Sequence, residues 1–176
     1  MKQHEAQDPS RFRWLALGIT LAIMIAIFVF SGQPGEISSD LSNRVTQQVQ
    51  ANRAAAKFTP DWFSANANAN LRKWAHVYVY CALGASMGVT VHLFARQRVR
   101  SLWVQLLLAA GACTLYAATD ELHQYFVPGR AALLGDIAID AMGYLPCVTL
   151  AFVCIALYRM WKKRRGLPNG AHPDRG

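Results

Sequence analysis

The stretch from Thr119 to Arg130 reads Thr-Asp-Glu-Leu-His-Gln-Tyr-Phe-Val-Pro-Gly-Arg. It places two adjacent carboxylates, Asp120 and Glu121, beside His123, Gln124 and Arg130, at the end of an apolar run. Asp136 and Asp140 follow within the next apolar run. Ionisable side chains in such segments are costly, face the protein interior and tend to mark function. Carboxylates beside a histidine can supply a general acid and a general base once burial separates their proton affinities. Arginine supplies a planar donor fork for a phosphate or carboxylate. Pro128 and Gly129 predict a tight turn before Arg130, because Pro fixes φ and Gly accepts positive φ. The polar groups thus gather near the turn of a helical hairpin.

The elements that must position these groups are apolar. Of 176 residues, 53% are hydrophobic and 16% charged. The net charge of +8 sits in short basic segments flanking apolar runs, as in the loops of membrane proteins. No zinc finger, RNP motif or basic helix with interleaved aromatics accompanies that charge, which argues against nucleic acid. Four runs are long enough to approach a membrane span of about 20 residues. They are 14–30, 75–95, 102–119 and 131–158. The first lacks a small-x-small cleavage pattern and reads as a retained helix. The predicted fold is therefore all-α, a polytopic bundle of four transmembrane helices over 14–158. A tail at 1–13 precedes it, a basic tail at 159–176 follows it, and the 31–73 loop joins its first two spans.

Within that loop, Leu41, Val45 and Val49 recur every four residues and predict a short amphipathic helix over 40–56, capped by Ser38 or Ser39. Thr59 to Phe63 ends it and offers aromatics to the membrane interface. The Asn- and Ala-rich segment 66–70 carries no clear signal. Gly84 and Gly88 form a Gly-x-x-x-Gly pattern that permits close helix contact, and Gly143 does the same on the fourth helix. Cys81, Cys113, Cys147 and Cys154 lie inside apolar runs with no Cys-x-x-Cys spacing, so they read as small buried apolar residues. His92 reads as a snorkelling side chain, and His4 and His172 as tail residues.

By the positive-inside rule the termini and the basic loop at Arg96, Arg98 and Arg100 share the cytoplasmic side. Arg72 and Lys73 break the rule, since they adjoin a span on the outer side. Counting about 20 helical residues outward from each basic boundary reaches Gln33, His76, Asp120 with Glu121, and Asp140. All four helices bring polar residues to one depth. Spacings of four put Arg72, His76 and Tyr80 on one face, and pair Asp120 with Gln124 and Asp136 with Asp140. The candidate acid–base groups are His76, Asp120, Glu121 and Asp140. The candidate binding groups are Arg72, Lys73, Tyr80, Gln124, Arg130, Asp136, Ser31 and Gln33. No His-Glu-x-x-His or comparable metal motif is present, and no cofactor is expected.

On these residues the chain resembles the VanZ-like membrane proteins. The matching stretches are Phe30 to Pro34, Arg72 to His76 with Tyr80, Asp120 to Gln124 through Val127 to Arg130, and Asp136 to Asp140 with Gly143. The resemblance implies a bacterial multi-pass protein of the cytoplasmic membrane and cell envelope. The family takes its name from a glycopeptide-resistance locus linked to teicoplanin susceptibility. It implies no settled reaction. Three readings of the polar layer stay open: a scaffold that fixes helix register, an acid–base enzyme acting on a lipid-linked substrate, and a pocket for a wall precursor or lipoglycopeptide. Membrane lipids are the expected partners. The lack of a visible repeat or broken helix argues against a secondary transporter.

Cysteine introduced at Asn68 should react with an impermeant thiol reagent in intact cells, and cysteine at Gln97 should not. The reverse pattern would move the polar layer to the cytoplasmic face.

Overall fold

A computed structural model describes residues 9–130 and 134–165; His4, His172 and the chain beyond 165 lie outside these. The described residues contain helices and no strand. Four helices are long and apolar enough to cross a membrane: α1 (Pro9–Ser31), α4 (Ala67–Ala95), α5 (Leu102–Tyr125) and α6 (Leu134–Arg164). Between α1 and α4 lie α2 (Gly35–Ala51) and the short α3 (Arg53–Ala56). Much of the apolar surface faces outward, including Ile25, Trp103, Leu107, Leu115 and Leu150. That is where lipid contacts a spanning helix.

Local chemistry sets the helix boundaries, and several differ from the sequence reading. The Asn66 side chain accepts from the Asn68 and Ala69 N–H groups, so the Asn-rich segment is the first turn of α4. Ser101 caps α5 through the Val104 N–H. The amphipathic helix begins at Gly35, directly after Pro34, and ends at Ala51. Ser38 is therefore inside it rather than capping it. Asn52 caps α3 instead. The helix α6 runs on through the basic residues 159–164. Gly129 adopts φ 74° in the predicted turn.

Helices α4 and α6 make the closest contact in the bundle. A Cβ on Gly84 would lie 2.5 Å from the Tyr144 carbonyl oxygen and 2.8 Å from its Cα. A Cβ on Gly143 would meet the Val77 carbonyl directly. Glycines on facing sides thus let the two backbones touch. Cys81 and Cys147, about one turn from these glycines, are joined by a disulfide with a Cα–Cα distance of 5.4 Å. This corrects the reading of all four cysteines as separate apolar residues. Cys113 and Cys154 do remain free thiols. Around this seam Ile27, Tyr80, Leu83, Cys113, Ala117, Tyr144 and Val148 form the buried core.

Gly143→Ala should lower the thermal midpoint of the purified protein, since overpacking against backbone costs about 1–3 kcal/mol. Gly111, with nothing within 4 Å of its Cβ position, tests the helix-propensity effect alone. Gly111→Ala should leave the midpoint unchanged or raise it. Equal midpoints for both variants would remove the steric account of the α4–α6 seam.

Candidate functional site

Side chains from three helices converge on Asp120, which is 2% exposed. Its Oδ2 accepts from Ser31 Oγ of α1 at 3.0 Å, from Gln124 Nε2 of α5 at 3.1 Å and from the Tyr80 hydroxyl of α4 at 3.4 Å. Gln124 Nε2 also reaches Glu121 Oε1 at 3.4 Å. Glu121 is buried beside Asp120. The sixth helix contributes Asp140, fully buried, whose Oδ1 lies 3.1 Å from His76 Nδ1. One potential ligand atom from each of His76, Asp120 and Asp140 lies within 4.8 Å of the others. The depth expected from counting residues and the faces expected from four-residue spacing meet at this point.

Arg130 closes the site from the turn after α5. Its Nε donates to the Gln33 carbonyl at 3.1 Å. Its Nη1 donates to Gln124 Oε1 at 3.3 Å. Its Nη2 reaches Ser38 Oγ at 3.0 Å and the Phe30 carbonyl at 3.4 Å. Arg130 does not contact Asp120 directly. Gln124 stands between them, its amide nitrogen on the acid and its oxygen on the guanidinium. Gln33 takes part through its backbone, which no reading of side-chain types would find. Ser38 holds Arg130 because the earlier start of α2 turns it inward.

Arg72 and Lys73 sit one turn before His76 on α4. Lys73 pairs with Asp136 at 4.0 Å, both partly exposed. Arg72 has no hydrogen-bond or ion-pair partner among the described residues, and its nearby charge repels Arg130. Burial first, and then Arg72, pull the Arg130 guanidinium below its ordinary value, while Asp120 and Glu121 pull it up. Two cavities flank Arg72. One, of about 250 Å³, lies between α1, α2 and α4 and mixes Ile27, Phe30, Leu41 and Val79 with Ser31, Ser38 and Ser42. The other, of about 210 Å³, reaches Lys73, Gln124, Asp136 and Asp140. Arg72, His76 and Arg130 line both.

The remaining polar residues lie elsewhere. His123 turns away from Asp120 and stacks on Phe28 at a ring distance of 4.1 Å. His92, read as snorkelling, instead bonds Gln105 Oε1 at 2.7 Å near the opposite end of the bundle. Asn70 and Trp74 donate to the Pro60 carbonyl and pin the loop between α3 and α4 onto α4. Trp62 and Phe58 in that loop remain exposed.

The family description VanZ/LLP1 matches residues 16–159. The chain belongs to the VanZ/LLP1 family. The match covers α4 and α5 in full, most of α1 and α6, and every site residue described above. No curated protein and no solved structure matches the chain significantly. The family assignment agrees with the resemblance carried by the Asp120 to Arg130 stretch and by the Arg72 to His76 stretch.

Proposed function

We propose that this VanZ/LLP1 protein binds an amphiphile with an anionic headgroup, such as a phosphate-bearing lipid carrier of the bacterial cell envelope. Arg72 carries the reading. A half-buried arginine between two cavities, with no acid partner among the described residues and a second arginine nearby, calls for an anion that would neutralise it. Ile27, Phe30, Leu41 and Val79 supply an apolar wall for the first part of a lipid tail. The Ser38 hydroxyl, which accepts from Arg130, and the His76 ring supply further polar groups near the headgroup. Binding of a lipid-linked wall component, or of the acylated glycopeptide teicoplanin, follows from the same chemistry, and altered teicoplanin susceptibility is the phenotype in this reading. In this reading the termini lie in the cytoplasm and the site at the outer boundary of the cytoplasmic membrane. A disulfide one turn from the site suits an oxidising exterior.

A second reading rests on the His76–Asp140 pair. A histidine held at 3.1 Å by a buried acid, on the wall of both cavities, has the geometry of a proton-transfer group. In that reading His76 moves a proton on the headgroup that Arg72 holds.

Purified protein in nanodiscs should bind a polyprenyl phosphate in preference to the matching neutral alcohol. Arg72→Gln should weaken phosphate binding about tenfold or more, the value of one charge-assisted hydrogen bond of about 1.5–3 kcal/mol. Its thermal midpoint should not fall, because Arg72 holds no hydrogen-bond or ion-pair partner among the described residues. Equal affinity for alcohol and phosphate, or an unchanged affinity in Arg72→Gln, would rule out the anion site.

A further inference from the structure

His76, Asp120 and Asp140 come from three different helices, so no local spacing announces them as a set. Their potential ligand atoms nevertheless lie within 4.8 Å of one another. Two ligands of one ion at about 2.1 Å each sit no more than about 4.2 Å apart, so a small closing movement completes the set. A second observation points the same way. Asp120 Oδ1 and Asp140 Oδ2 are buried and have no hydrogen-bond partner among the described residues, while the residues themselves are 2% and 0% exposed. Such oxygens are costly without a donor or a cation. Asp120 uses Oδ2 for Ser31, Tyr80 and Gln124, which leaves Oδ1 for another role.

We infer that His76, Asp120 and Asp140 bind a divalent transition-metal ion, Zn²⁺ or Mn²⁺. One neutral imidazole and two carboxylates carry a charge of about −2, which a divalent ion cancels inside the low-dielectric bundle. The imidazole favours a transition metal over Mg²⁺ or Ca²⁺. Gln124 keeps Arg130 off Asp120 and so spares the acid for the ion. His76 and Asp140 also line the second cavity, which leaves the ion accessible from there. With the ion bound, His76 is a ligand and not a proton carrier, so the inference displaces the acid–base reading. It does not depend on the anionic lipid held by Arg72.

The test is Mn²⁺ titration of the full chain in detergent, after chelator treatment, followed by electron spin-echo spectroscopy. One Mn²⁺ should bind per chain and show nitrogen coupling from a single imidazole. His76→Gln, Asp120→Asn and Asp140→Asn should each weaken binding at least tenfold, whereas His92→Gln and Asp40→Asn should not. Absence of saturable Mn²⁺ and Zn²⁺ binding would overturn the inference, as would unchanged affinity in the three site variants. If a site variant fails to fold, a variant with His4, His92, His123 and His172 each replaced by Gln decides: retained nitrogen coupling supports the site, and its loss or absence overturns it. No lipid enters the measurement, so its outcome is separate from that of the anion-binding test.

Discussion

The arrangement depends on one oxygen atom, Oδ2 of Asp120. Three donors from α1, α4 and α5 meet there. In lipid the hydrophobic effect does not drive helices together, because the surrounding tails are as apolar as the side chains. Association then rests on packing and on polar groups that find no other partner. A carboxylate shared by three helices fixes their mutual depth as well as their contact. Gln124 extends the network to Arg130, and Arg130 ties it to the backbone at Phe30 and Gln33 and to Ser38 of α2. The C-terminal end of α1 and the start of α2 are held by the same chain of hydrogen bonds that holds Asp120.

The α6 helix joins by a different route. Its contact with α4 is steric, made by Gly84 and Gly143 and fastened by the Cys81–Cys147 bond. That close approach sets His76 of α4 against Asp140 of α6. The site therefore has a polar seam toward α1 and α5 and a close-packed seam toward α6. His76, Asp120 and Asp140 occupy the junction of the two. Arg72 stands one turn before His76 on α4, between the two cavities.

Much of this was legible in the sequence because a membrane imposes few geometries. Apolar run length gave four spans, and residue counts from the basic ends gave one depth for Gln33, His76, Asp120 and Asp140. Four-residue spacing placed Arg72, His76 and Tyr80 together. The partners were less legible. Arg130 contacts Gln124 rather than Asp120, because the turn sets the reach of the guanidinium and no spacing encodes it. Gln33 acts through its carbonyl, which any residue type would supply. Cys81 and Cys147 are 66 residues apart, and only the close approach of two glycine-bearing helices reveals them as a pair. Ser38 was misplaced because Pro34 starts α2 earlier than the apolar periodicity indicates.

The most direct test of the central claim is a double-mutant cycle between Ser31 and Asp120, which are 89 residues apart and on different helices. Ser31→Ala, Asp120→Asn and the double variant would be compared by reversible unfolding in bicelles. A buried hydrogen bond to a charged group predicts a coupling of about 1–3 kcal/mol, with Ser31→Ala costing little once Asp120 is gone. A coupling near zero in folded variants would contradict the account, because Asp120 would then not be what draws α1 to α5.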